Sequence, residues 1–421
     1  MQSSIKLRLT VMNFLQFAVW GAYLTSMGRY LGTAGFGSEI GNFYAMQGLV
    51  SLFMPALMGI VADRWIPAQR LLGLCHMLAG MLMLGVFLYT QTDTPSYPTL
   101  FALYSLSVAF YMPTLALSNS VAYSSLDQAG LDLVKSFPPI RVFGTVGFIC
   151  TMIAVSLLGL EATSGQFAVS AIISLVLAVY AQTLPNCPTA PKGQSKSLVE
   201  ALGLRAFVLF KQRKMALFFI FSMLLGVSLQ ITNGFANPFI STFGEIPAYA
   251  DTFGVKYANI LISLSQLSET LCILLIPFAL RRFGIRRVML IAMVAWVLRF
   301  ALLGLGNPGS GVWLFLLSMI VYGVAFDFFN VSGSLFVDKE TDPSIRSSAQ
   351  GLFMIMTNGI GATLGSLGAQ AVINHFVYSE HDTTAILAGW SMSWYIFATY
   401  AAVVAVLFAL LFRYNTATEA K

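Results

Sequence analysis

Ser318-Met-Ile-Val-Tyr322-Gly-Val-Ala-Phe326-Asp327-Phe-Phe-Asn330-Val-Ser332-Gly-Ser334-Leu-Phe-Val337 is apolar almost throughout, yet a carboxylate stands near its centre. Tyr322, Phe326, Asn330 and Ser334 recur every fourth residue, which puts them on one face of a helix, with Asp327 adjacent. The stretch is long enough to span a bilayer as a helix. A charge at that depth costs at least ~2.5–3.5 kcal/mol, so Asp327 is expected to face a cavity or a partner and not lipid.

The rest of the chain has the same character. It has 421 residues, 57% hydrophobic and only 10% charged, with mean hydropathy +0.78. A soluble chain carries about 25% charge. Its apolar runs are about 20 residues long and do not alternate, which excludes a β-barrel and predicts an all-α polytopic membrane protein. They fall at 8–31, 40–62, 69–91, 97–122, 139–160, 164–185, 214–241, 256–280, 285–305, 311–337, 346–376 and 388–412, giving twelve spans, numbered one to twelve below. The basic start, Met1 to Arg8, leads into a full-length apolar run and reads as part of an uncleaved first span.

The net charge of +6 does not point to nucleic acid. Basic residues crowd the loops on one side: Lys6, Arg8, Arg64, Arg70, Lys135, Lys192, Lys196, Arg281, Arg282, Arg286, Arg287, Arg346, Arg413 and Lys421 among them. Glu39, Asp93, Glu161, Glu245, Asp251, Glu380 and Asp382 lie on the other. The bias predicts that both termini are cytoplasmic. The three His residues are scattered, and the four Cys residues imply no disulfide framework. No metal, cofactor, nucleophile–base set or enzyme is expected, and the chain is expected to act as a monomer in the lipid bilayer.

Residues 187–213 begin Cys-Pro-Thr-Ala-Pro-Lys-Gly-Gln-Ser-Lys-Ser and read as a cytoplasmic linker between two six-span halves, 1–186 and 214–421. The halves echo each other. Gly59-Ile-Val-Ala-Asp63-Arg64 after span two corresponds to the Arg281-Arg282-Phe-Gly284-Ile-Arg286-Arg287 turn after span eight, and Ala109-Phe110-Tyr111 to Ala325-Phe326-Asp327. The offsets, about 218 and 216 residues, are nearly equal, which indicates a duplicated unit. Twofold repeats around a central site are the architecture of major facilitator transporters. In that setting Asp63 and Arg64 resemble the facilitator gating loop, although Ile66 and Pro67 stand where Gly is common.

Polar residues line up inside several spans. Gly226, Gln230, Asn233 and Asn237 form a stripe on span seven, and Ser263, Gln266, Glu269 and Thr270 one on span eight. Arg141, Thr145 and Phe148 share a face of span five, and Gln16, Trp20 and Tyr23 one of span one. Spans two and four add Tyr44, Gln47, Tyr111 and Thr114. Any single Asn, Gln or Ser reads as interhelical glue, and Gly359, Gly361, Gly365 and Gly368 in span eleven as a close-packing face.

Intramembrane charge is the sharper signal. Arg299 lies near the outer end of span nine, where it can snorkel, and Arg141 near the inner end of span five can do the same. Glu269 and Asp327 lie mid-span in one half. A low dielectric favours the protonated form of a carboxylate, and a second carboxylate favours it further. Groups so placed can take up and release a proton, which is the chemistry of a proton-coupled carrier. The stripes supply amides, hydroxyls, carboxylates and aromatic faces but no cluster of cations, which disfavours phosphorylated cargo. A neutral polyhydroxylated molecule fits, either a nucleoside or a sugar. A membrane sensor without transport has no soluble domain or long tail here to support it.

Phe221-Ser-Met-Leu-Leu-Gly226, Leu229-Gln230-Ile-Thr-Asn233, Ser265-Gln266-Leu-Ser-Glu269-Thr270, Ala325-Phe326-Asp327-Phe-Phe-Asn330 and Phe137-Pro-Pro-Ile-Arg141 resemble the bacterial nucleoside:proton symporters. The likeness runs through nearly all spans and is weakest in the linker, near 242–256 and at the C-terminus. It implies a major facilitator fold in the inner membrane that carries nucleosides with protons. It also implies a substrate set of Arg141, Thr145, Phe148, Gln230, Asn233, Gln266, Glu269, Tyr322, Phe326 and Asp327, with Asp327 and Glu269 coupling protons.

Overall fold

A computed structural model describes residues 2–189, 204–343 and 345–414. The described residues are helical with no strand, as expected of a chain whose backbone polar groups must be satisfied internally in lipid. Among the described residues, nine helical segments are long and apolar enough to cross a membrane. Gly165–Ala181 and Ala258–Ile273, shorter apolar helices, fall on spans six and eight. Gln2–Gly21, continued by Met27–Thr33, falls on span one. Every predicted span therefore has its helix. Of the linker, 190–203 lies outside the described residues, as do Lys192, Lys196 and Lys421, while Leu204–Lys211 forms a short 3₁₀ segment.

The described residues form two compact units. One lies within Met1–Tyr30 and Leu49–Leu202, the other within Leu31–Gly48 and Gly203–Lys421. The division passes through span two, which is itself interrupted between Ile40–Ser51 and Met54–Arg64.

In the first unit, span one (Gln2–Gly21) packs along span five (Leu133–Leu157), and span three (Ala68–Tyr89) lies between spans four (Tyr97–Gln128) and six. Leu9, Met12, Leu71, Leu72, Leu117, Val121 and Leu177 fill one core cluster. Spans one and five meet backbone to backbone, since a Cβ on Gly21 would lie 2.9 Å from the Phe148 Cα.

In the second unit, span ten (Val312–Glu340) packs against spans eight (Ala258–Ile273) and nine (Ile276–Leu305), and nine against twelve (Thr383–Leu411). Span seven is broken at Gln230 into Arg213–Leu229 and Ile231–Thr242. It crosses span eleven, Arg346–Met354 continued by Ala362–Phe376, where a π-helical stretch, Ile355–Gly361, joins the two parts. Three glycines of the expected packing face behave as such: Gly361 and Gly365 meet the span-seven backbone, and the Gly359 carbonyl is approached by Gly48. Gly368 differs, with no atom near its would-be Cβ, because it looks away from the crossing.

Ile276–Leu305 is not one continuous helix: it kinks at Gly284, whose φ of +75° needs a glycine, and this kink is the basic turn expected between spans eight and nine. Beside it, Arg286 donates from Nε to the Phe412 carbonyl and from Nη2 to that of Ala409, both at 2.7 Å. This caps the last turn of span twelve, where free carbonyls and the helix dipole favour a cation. Arg286→Ala is expected to destabilise the protein by about 1–3 kcal/mol, read as a lower melting temperature in detergent. An unchanged melt would show that the cap contributes nothing.

Candidate functional site

Seven of the sequence-predicted residues lie in the second unit. Tyr322 and Asp327 are buried on span ten, and Phe326 is half-buried between them in sequence. One helical turn separates Tyr322 from Phe326, so their rings stack, with centroids 5.6 Å apart and planes inclined by 17°. Asp327 is 5% exposed, and its Oδ2 has no hydrogen-bond partner among the described residues. Glu269, half-buried on span eight, lies within electrostatic range of both Asp327 and Tyr322. Gln266, one turn before Glu269, is within hydrogen-bonding reach of the Tyr322 hydroxyl. The far end of the same span-ten face is tied to span eleven, where Gln350 donates to the Ser334 carbonyl at 2.7 Å.

The interruption of span seven sets its polar stripe apart from a continuous helix. Asn233 Nδ2 donates to Gln230 Oε1 at 2.8 Å, and Gln230 Nε2 to Gln47 Oε1 at 3.5 Å. Broken helices that expose amides at mid-membrane are the usual makings of a transporter site. Asn237, further along, donates to Asn259 at 2.9 Å inside the bundle and belongs to packing.

Two hydroxyls of the span-eight stripe bond within their own helix. Ser263 and Thr270 donate to the carbonyls of Ile260 and Gln266 in their own helix, at 2.7 and 3.1 Å. The lipid-embedded interior leaves such a hydroxyl few other acceptors.

The other three predicted residues lie in the first unit. Arg141 is half-buried, its guanidinium 4.0 Å over the ring of Phe17 on span one. At that distance the guanidinium makes a cation–π contact with the ring. Thr145 is half-buried one turn on, and Phe148 is buried with its ring edge-on to Trp20, at 6.3 Å. Trp20 also packs against Tyr111, centroids 6.0 Å apart. Gln16 and Tyr23, which share the span-one stripe with Trp20, are buried within the unit. Asp63 is half-buried and Arg64 exposed at the end of Met54–Arg64.

Two charged or titratable groups are placed where sequence reading did not put them. His76 on span three is fully buried, 2.9 Å from Ser174 Oγ through Nδ1 and 2.8 Å from Gln16 Oε1 through Nε2. Gln16 in turn donates to Thr114 at 2.7 Å, so spans one, three, four and six share one polar network. A lone His in an apolar run was the available signal. Arg299, expected to snorkel, is instead 2% exposed, inside the second unit. It points sideways into the bundle, where the Ser318 carbonyl and the Tyr322 ring receive it. Among the described residues no group of His, Cys, Asp and Glu could hold a metal ion.

Comparison with known proteins fits this geometry. A family model described as "Nucleoside H+ symporter" matches residues 3–417. The chain is 50% identical to the xanthosine permease of Escherichia coli (strain K12), covering 98% of this chain and 97% of that one. It is 46% identical to the nucleoside permease NupG of the same organism, with the same coverage. The crystal structure of the nucleoside transporter NupG superposes with a TM-score of 0.89 at 46% identity, covering 98% of this chain and all (100%) of that one. An auto-inhibited POT family peptide transporter, 16% identical with a TM-score of 0.69 over 98% of this chain and 97% of its own, shares the fold alone.

Proposed function

The chain belongs to the nucleoside H+ symporter family, and from that premise we propose that it takes up nucleosides together with protons across the bacterial inner membrane by alternating access. It is a carrier and not an enzyme, like the permeases it resembles. The observation that carries the reading is Asp327, a buried carboxylate with an unpartnered oxygen beside a stacked aromatic pair and within electrostatic range of Glu269. A group of this kind is retained inside a membrane for function and not for stability.

In this reading Asp327 and Glu269 hold the ribose hydroxyls and the proton. Gln230, Asn233 and Gln266 bind base and sugar edges, since amides carry both donors and acceptors. Phe326, with Tyr322 behind it, stacks on the base, and Phe148 is a second stacking ring. Arg141 and Thr145 donate to the base. Asp63 and Arg64 form a gating loop, the termini are cytoplasmic, and two six-span halves joined by residues 187–213 work as a monomer.

The test is uptake of labelled uridine by cells expressing the protein, with excess unlabelled nucleosides, bases or sugars as competitors. Nucleosides are expected to compete and sugars not, and an uncoupler is expected to collapse accumulation. Competition by sugar alone would make the protein a sugar symporter. Binding of nucleoside in proteoliposomes without accumulation under an imposed pH gradient would end the symport reading.

A further inference from the structure

Arg299 is a full cation inside the second unit, 2% exposed, and no carboxylate lies within ion-pair distance of it among the described residues. Protein groups solvate it in part, while its Nε has no hydrogen-bond partner among the described residues. Its Nη1 donates to the Ser318 carbonyl at 2.8 Å and contacts Ser265 Oγ at 3.4 Å and Met319 Sδ at 3.9 Å. Its guanidinium carbon lies 4.5 Å from the centroid of the Tyr322 ring. The Ser318 hydroxyl donates back to the Arg299 carbonyl at 3.0 Å, so the two helices are tied reciprocally at this level. Ser318 and Tyr322 are one turn apart on span ten, and Arg299 grips both.

Tyr322 is thereby held from three directions. Trp296, three residues before Arg299 on span nine, meets its ring edge-on at 5.9 Å. Arg299 lies over the ring, and Phe326 stacks on it. Of the predicted substrate residues, it is Tyr322 whose ring the arginine contacts. A fully desolvated guanidinium against an aromatic face is a strong and directional contact. Lysine cannot reproduce it, because its ammonium is a point charge without a planar face.

We propose that Arg299 is a positioning residue for transport: packed against the Tyr322 ring, it fixes Tyr322 and Phe326 in the orientation that receives the nucleoside. The proposal rests on the reading of Tyr322 and Phe326 as nucleoside-binding. It separates Arg299 from a purely structural clamp between spans nine and ten. A clamp would change how much carrier folds, whereas a positioning residue changes how well the folded carrier holds its substrate.

The experiment measures uridine uptake kinetics, normalised to folded carrier, for Arg299→Lys, Tyr322→Leu and the double variant. Arg299→Lys is expected to raise KM about tenfold while maximal velocity per folded carrier changes less than about twofold. In the double variant the lysine is expected to add no more than about twofold to the KM of Tyr322→Leu alone, because the ring through which it acts is gone. An unchanged KM in Arg299→Lys, or a full tenfold increase repeated in the double variant, overturns the proposal. If Arg299→Lys does not fold, Ser265→Ala serves instead. It removes a partner of the guanidinium and is expected to raise KM about two- to threefold, and an unchanged KM there also overturns the proposal. A wild-type protein without saturable uridine uptake would instead overturn the functional reading itself.

Discussion

Asp327→Asn is expected to abolish concentrative nucleoside uptake while leaving a folded protein. The substitution keeps the size of the side chain and removes its capacity to exchange a proton. Asp327 is buried, and its Oδ2 has no hydrogen-bond partner among the described residues, so an amide nitrogen in its place breaks no hydrogen bond of that oxygen. An amide there is easier to bury than a carboxylate. The functional loss should be total in the coupled sense. A membrane potential of ~100 mV supplies about 2.3 kcal/mol per proton and one pH unit about 1.4, together several-hundred-fold accumulation. A carrier that takes no proton cannot reach it and at best equilibrates its substrate. Uptake into proteoliposomes under an imposed pH gradient measures this directly, with a melting curve as the folding control. Accumulation at the wild-type level by the variant would remove Asp327 from the mechanism.

The second large effect is on the fold. Gly226→Leu should prevent spans seven and eleven from packing, with a loss of about 3 kcal/mol or more. A Cβ on Gly226 would lie 2.8 Å from the Thr357 Cα and 2.9 Å from its carbonyl carbon, so the obstacle is backbone and cannot rotate away. From the other side, a Cβ on Gly361 would lie 2.8 Å from the Gly226 Cα. In a bilayer helices gain little from the hydrophobic effect and hold together by such close approach, so separating them forfeits much of what joins them. Gly368→Ala is the control, expected within about 0.5 kcal/mol of wild type because nothing lies near its would-be Cβ. Yield of monodisperse protein and melting temperature in detergent distinguish the two. Equal behaviour of both variants would show that the crossing does not depend on Gly226.

The candidate site was legible in proportion to how far its logic runs along a single helix. The four-residue spacing of Tyr322, Phe326, Asn330 and Ser334 placed them on one face, and Tyr322 and Phe326 do stack. The amides Gln230 and Asn233 were placed together by the same rule and are hydrogen-bonded. On span eight the stripe hydroxyls of Ser263 and Thr270 donate to the carbonyls three and four residues back in their own helix, a use that spacing alone does not reveal.

By itself the sequence determined the class of the molecule: all helical, polytopic, with twelve apolar runs long enough to cross a bilayer and too few charges for a soluble core. That much is local, since hydropathy and run length report whether a segment can leave water whatever its neighbours are. Where each side chain points across the gap to the next helix is not local. Arg299 and His76 show the limit. Their positions along spans nine and three were plain, but only the packed bundle decides that Arg299 lies over Tyr322 instead of reaching for the membrane surface. Only the bundle shows that Gln16 and Ser174 close around His76. The depth of a charge is set by one helix, whereas its partners come from segments distant in the chain.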